Sequence, residues 1–297
     1  MTKLVRSPII YMGGKYRSLK YFQHLIPEVE GTFYDVFAGS GTVLLNVVAQ
    51  KYVYNDINTP LSELFLFLSE KDNADDFFKE IKEDVEKYQL NTKEGYLKLR
   101  DIYNEAPNPK MLFLLMTYSF SNLIRFNKNG KFNTSYGQGK NKLGKNMGDK
   151  VDGMLNKLKG KELLVLNKPF QELKDELLNL SKNDFVYLDP PYEMTQANYN
   201  ENRGFAGWSQ KDVDETYELI EELIKREIPF GYSNTIVVKG KINERLKSLI
   251  QKHPQLKATK VGKLDLTGIG TKKTIGKDLE VYITNKPKEN INEKTTN

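Results

Sequence analysis

The 297-residue chain has no cysteine. That absence excludes a disulfide framework and any thiolate-ligated metal centre. Its two histidines, His24 and His253, stand far apart in sequence. A zinc site or a Ser-His-Asp triad is therefore not expected, and His24 reads as a helix-surface residue. No apolar run approaches the roughly 18–20 residues that a membrane helix needs. Met1-Thr2-Lys3-Leu4-Val5-Arg6 leads into no long apolar signal segment, so a cytoplasmic protein with neither metal nor membrane partner is expected. Two nucleotide fingerprints are also incomplete. Gly13-Gly14-Lys15 resembles the end of a P-loop, but Ile9 stands where the first glycine belongs and Tyr16 where a Ser or Thr belongs. Gly39-Ser40-Gly41 lacks the third glycine of a dinucleotide site, which argues against NAD.

Net positive charge is lacking outside one stretch, since the remainder balances 38 basic against 38 acidic residues. Residues 125–150 hold Arg125, Lys128, Lys131, Lys140, Lys142, Lys145 and Lys150 against the single acid Asp149. That segment carries the whole net charge of +6, and it contains five glycines and no long apolar run. It reads as a flexible basic loop suited to a phosphate backbone; the competing reading is a solvated lysine-rich loop.

The most informative run is Asp184-Phe185-Val186-Tyr187-Leu188-Asp189-Pro190-Pro191-Tyr192. Its apolar and aromatic residues suit a buried strand. Two prolines, unable to donate backbone hydrogen bonds, must end it. Asp189 then sits at a strand's carboxyl end, where open α/β sheets bind ligands. Asp189 and the Pro190 carbonyl can each accept one hydrogen of an exocyclic amine, and Tyr192 can stack on a base for roughly 1–3 kcal/mol. A capping Asp in a proline-stiffened loop is the alternative.

Along the chain, residues 15–26 read as a helix, and Phe33–Phe37 as a strand entering Ala38-Gly39-Ser40-Gly41-Thr42. A helix from Val43 to Ala49 is predicted next, then a strand at Tyr52-Val53-Tyr54 closed by Asp56. Strand, Gly-x-Gly turn and helix form half of a nucleotide site, and an acid after the second strand suits ribose hydroxyls. With no cradle for a pyrophosphate, the ligand is an adenosine without phosphates, and S-adenosylmethionine is the common cofactor of that kind. Segments 60–70, 74–90, 92–105 and 109–120 are helical in period. The α/β pattern resumes at Leu163–Leu166, with a helix at 170–180, a helix capped by Ser209, a strand at 229–234, and a final hairpin at 256–261 and 279–284. The loop from Tyr192 to Trp208 reads as a lid or binding loop.

In that order the chain resembles the Dam family of DNA adenine N6-methyltransferases, and its phage branch most of all. Four blocks carry the resemblance: Tyr11-Met12-Gly13-Gly14-Lys15; Asp35 to Gly41 with Asn55-Asp56-Ile57; Phe120 to Asn127; and Asp184 to Tyr192. It implies an α/β fold with a Rossmann-like, mixed seven-stranded sheet of the class I S-adenosylmethionine-dependent methyltransferases. A helical target-recognition domain at 59–160 is inserted between catalytic parts at 1–58 and 161–285, with a polar tail at 286–297. Asp189, Pro190 and Tyr192 are implied as catalytic. Tyr11, Lys15, Asp35, Gly39, Gly41, Asp56 and Asp189 are implied to bind S-adenosylmethionine. Phe120, Ser121, Leu123, Arg125 and Asn127, with Lys140, Lys142 and Lys145 of the basic loop, are implied to meet double-stranded DNA. The expectation is a monomer or weak dimer, in a bacterial or phage-infected cell, that methylates a flipped adenine within GATC. Ser135 replaces a usual proline, and no arginine stands near Gly139, so a loosened choice of site is expected. Methylation of RNA or of cytosine N4, and a catalytically silent DNA-binding protein, remain the rival readings.

Overall fold

The computed structural model describes residues 4–138, 143–192, 207–262 and 278–287. In chain order, α1 (Tyr16–Leu19) precedes β1 (Val29–Asp35) and β2 (Ala49–Asn55). The helices α2 (Thr59–Ser69), α3 (Ala74–Lys87), α4 (Lys93–Glu105), α5 (Pro109–Tyr118) and α6 (Lys145–Leu158) follow. Next come β3 (Glu162–Leu166), α7 (Lys174–Leu178), β4 (Phe185–Leu188), α8 (Gln210–Lys225) and β5 (Phe230–Val238). The two-residue β6 (Lys241–Ile242), α9 (Glu244–Lys252), β7 (Lys257–Val261) and β8 (Leu279–Thr284) complete the order.

The strands form one sheet in the order β3-β2-β1-β4-β5-β8-β7, with β6 paired to β5 off that path. From β3 to β5 the strands are parallel, while β8 runs antiparallel to both β5 and β7. The mixed seven-strand path implied by the resemblance is thus present. The central strands are buried on both faces, which is why they read as continuous apolar runs. Phe33, Phe185 and Tyr187 enter one core with Leu61, Phe65, Phe113 and Met154 of the helical segment. Tyr34, Val186 and Leu188 enter the other with Leu219, Leu223 and Leu246. Side chains alternate along a strand, so Asp35 and Asp189 continue onto the face of the first core. Local signals fix the helix starts. Asn73, Thr92 and Asn108 cap α3, α4 and α5, and Ser209 and Asp212 form a capping box on α8.

The structure corrects several elements. The expected helix at 15–26 is only α1 and a 3-10 turn at Gln23–Leu25. The expected helix from Val43 to Ala49 shrinks to a 3-10 turn at Leu44–Asn46, because β2 already begins at Ala49, paired with Val29. The basic stretch 125–150 is not a single loop. Its end starts α6, whose Met147, Val151, Met154 and Leu158 are buried at helical spacing. Lys150 is buried there, and burial first, then Arg6, lowers its pKa. Helix α9 was also unforeseen; Asn243 caps it and Leu246 and Leu249 bury it. Among the described residues, no helix is long and apolar enough to cross a membrane.

Candidate active site

At the carboxyl ends of β1, β2 and β4 lies a cavity of about 370 Å³. The loop before α1 forms one wall. Gly13 takes a φ of 76°, a left-handed turn that glycine adopts without strain, and Tyr11 and Lys15 flank it. Lys15 Nζ lies 2.6 Å from Asp189 Oδ2, 3.1 Å from the Gly13 carbonyl and 3.7 Å from Glu280 Oε1. It also sits 5.1 Å from the centre of the Tyr192 ring. The Tyr192 hydroxyl donates to Glu280 Oε1 at 2.7 Å.

Gly39, φ 54°, donates its backbone N–H to Asp56 Oδ2 at 2.8 Å, and Asn58 N–H donates to Asp56 Oδ1 at 2.8 Å. Asn58 Nδ2 donates to the Tyr11 hydroxyl at 3.1 Å. Gly41 plays a different part from the one implied. It is not in the cavity wall: at φ 68° an added Cβ would lie 2.2 Å from the Phe65 ring. Its missing side chain lets α2 close on the turn, so the glycine serves packing rather than ligand approach. Pro190 is buried, and Pro191 lines the cavity.

Burial dominates the electrostatics. It pushes the Asp189 carboxyl up to about 6 against the opposing pull of Lys15, and pushes Asp56 up to about 6 against its two N–H donors. Asp35 is held well above the usual carboxylate range, by burial first and then by the Asp189 charge. Burial alone would lower the Lys15 pKa, but Asp189 and Glu280 outweigh it and raise it. Four polar atoms of cavity residues are buried without a hydrogen-bond partner among the described residues: Asp35 Oδ1, Asn58 Oδ1, Asp189 Oδ1 and Trp208 Nε1. Burying such groups unpaired is costly, and a polar ligand would complete them. At the other end Phe37, Phe170 and Trp208 form an aromatic box with centroids 5.4–5.8 Å apart. Sequence reading missed Phe37, Asn58, Phe170, Trp208 and Glu280. Two signals were available: Pro169-Phe170 follows the end of β3, and Trp208 is the only tryptophan.

Away from the cavity, residues 119–136 form an irregular hairpin, bridged at Ser119–Tyr136 and Phe126–Phe132. Phe120 is 68% exposed and Leu123 half-buried, and Ser121 has a φ of 62°. Arg125 is exposed, and its Nε donates to Asn133 Oδ1 at 2.9 Å. Asn127 Oδ1 accepts the N–H groups of Asn129 and Lys131, each at 3.0 Å, and so closes the tip. Lys145 is exposed at the start of α6, whereas Lys140, Lys142 and Gly139 lie outside the described residues. So does most of the expected lid between Tyr192 and Trp208.

The chain is 33% identical over 248 residues to the modification methylase StsI of Streptococcus sanguinis, and 31% identical over 245 residues to the type II methyltransferase M.FokI of Planomicrobium okeanokoites. Those matches take in 82% of this chain but only 38% and 37% of the relatives, so it spans well under half their length. It is 26% identical over 238 residues to a DNA adenine methylase of Salmonella typhi, with 77% of this chain and 80% of that one covered. Residues 11–261 match the profile of one family, and the chain belongs to it: the D12 class N6 adenine-specific DNA methyltransferases.

Proposed function

We propose that the chain transfers a methyl group from S-adenosylmethionine to N6 of adenine in duplex DNA. The observation that carries this reading is Asp189. It follows the central strand inside a cavity, with one oxygen on Lys15 and the other without a hydrogen-bond partner among the described residues. The residues fit the cofactor. Asp56 keeps lone pairs beyond its two backbone donors for ribose hydroxyls, and the box of Phe37, Phe170 and Trp208 suits an adenine ring. Asp35, Asp56, Asp189 and Asp212 line the cavity against two ammonium groups, Lys15 and Lys168, so its acidic excess favours a cationic ligand over phosphates. Bound S-adenosylmethionine would supply a methyl activated on a sulfonium, becoming a neutral thioether as the C–S bond breaks.

The chain's own task is alignment and charge placement. Asp189 accepts an amine hydrogen and keeps the nitrogen lone pair localised and aimed, and that lone pair forms the new N–C bond. The nitrogen then releases one proton to solvent. Asp189 is only 12% exposed, so a base stacked in a duplex cannot reach it, and the adenine must be flipped out. Segment 59–160 acts as the recognition part, with Phe120 to Asn127 toward the DNA. GATC is the preferred site, with one-base variants also accepted, and the modification methylases among the relatives support a place beside a nuclease. The test is tritium transfer from labelled S-adenosylmethionine to DNA, with modified-base sequencing. Label in RNA or on cytosine, or none in DNA, would defeat the reading; methyl-adenine outside GATC and its neighbours would defeat only the site.

A further inference from the structure

Glu280 lies in none of the four sequence blocks, yet strand pairing on both sides fixes its backbone. It is paired through β8 with Thr235 of β5 on one side and Val261 of β7 on the other. From there Oε1 takes the Tyr192 hydroxyl at 2.7 Å and faces Lys15 Nζ at 3.7 Å. An ammonium has three hydrogens to donate, and Lys15 Nζ has three oxygens round it: Asp189 Oδ2, the Gly13 carbonyl and Glu280 Oε1. Its shortest contact, 2.6 Å, is to the carboxylate that a substrate amine must use. A cation on Asp189 draws off the electron density that the amine would share. A move of about 1 Å would bring Nζ within charge-assisted bonding distance of Glu280 and would leave it paired.

We propose that Glu280 is a positioning residue: it ties the Lys15 ammonium to the Tyr192 ring and receives that ammonium from Asp189 as the substrate amine enters. The inference rests on the methyltransferase reading above. Glu280→Gln keeps an oxygen for the Tyr192 hydroxyl but loses the charge that draws Lys15 away.

The test is a double-mutant cycle of Glu280→Gln with Lys15→Met, read by single-turnover methyl transfer to a duplex carrying the site found by sequencing. Glu280→Gln is expected to slow transfer about tenfold or more in the Lys15 protein and less than about twofold in Lys15→Met, with cofactor affinity and melting temperature unchanged. A second readout is the affinity ratio between duplexes with adenine and with purine, which lacks the amine, at the target. Glu280→Gln should erase that preference, which keeps the cycle measurable when Lys15→Met transfers too slowly. Equal losses in both backgrounds, a rate within twofold of the parent, or a parallel loss of folding or cofactor binding would each overturn the inference. A parent protein that methylates no DNA overturns the methyltransferase reading, and Glu280's role falls with it.

Discussion

The cavity at the sheet's end and the hairpin at 119–136 place their functional groups by opposite means. In the cavity, strands set the positions. Asp35 ends β1, Asp56 and Asp189 directly follow β2 and β4, and the carboxylates are crowded and desolvated. In the hairpin, polar side chains do the holding, of one another and of the backbone. Asn133 grips Arg125, Asn127 closes the tip, and Asn122 Nδ2 donates to the Thr117 carbonyl at 2.7 Å. Ser121 and Asn122 both take positive φ, 62° and 55°, a conformation costing about 1–3 kcal/mol per strained residue and kept where surroundings enforce it. On the proposed function the work would be divided: the buried cavity would fix the chemistry, and the shallow hairpin would set the choice of DNA without disturbing it.

The largest expected effect breaks the chemical half alone. Asp189→Asn keeps the shape but replaces an acceptor-only carboxylate with an amide, and transfer should fall on the order of 10²–10³-fold. DNA affinity by anisotropy should persist; near-normal turnover would remove Asp189 from its role. The same group sets the next effect. Its pKa is raised from 3.8 to about 6, so the ionised form is lost as pH falls through 6, and single-turnover rates should drop about tenfold per unit below it. The stability sign is reversed. A raised carboxylate pKa favours folding most below about 4, and that contribution is lost as pH rises through about 6. Below pH 6 activity should therefore fall while this group's part of stability grows, and a flat pH–rate profile would exclude Asp189 as the acceptor. Asp56→Ala should weaken S-adenosylmethionine binding by about 1.5–3 kcal/mol, read by calorimetry. It should leave DNA affinity alone, and an unchanged cofactor affinity would unseat the ribose assignment.

What the sequence made legible follows the same division. Strand ends announce themselves: the run into Asp189-Pro190-Pro191 marked β4 to the residue, and Gly39 and Asp56 lie where the strand–turn pattern put them. The seven-strand path and the last hairpin were likewise readable from period and order. Three things were not. Glu280 and Trp208 reach the site from far along the chain, and only the register of β8 with β5 and the start of α8 bring them there. Gly41 looked like a ligand glycine because a turn glycine and a packing glycine share a one-letter pattern; Phe65 decides between them. Helix α6 was hidden by its own lysines, since counting charge treats Lys150 as surface when its helix face is buried.

The hairpin is where specificity should be adjustable with smaller effects. Arg125→Ala should cost roughly 1–3 kcal/mol at the preferred site and relax choice at one base pair, because a guanidinium can span guanine O6 and N7. Equal weakening on random DNA would make Arg125 a phosphate contact instead.

Asn133→Ala should give the smallest change and the sharpest one. It leaves the Arg125 charge in place, so affinity for random DNA and its dependence on salt should not move. It does remove the acceptor 2.9 Å from Arg125 Nε, while the backbone contact of Nη2 at 3.4 Å is too long to orient the group by itself. With Nε engaged, the guanidinium presents its outer edge to a base; released, it must be ordered at each binding event. The cost should be about 0.5–1.5 kcal/mol, seen only as a lower ratio of specific to random binding in competition at fixed salt. A fall in both affinities together would mean that Asn133 braces the hairpin and not the arginine. The adjustable half of the molecule would then owe its geometry to its backbone after all, as the cavity does.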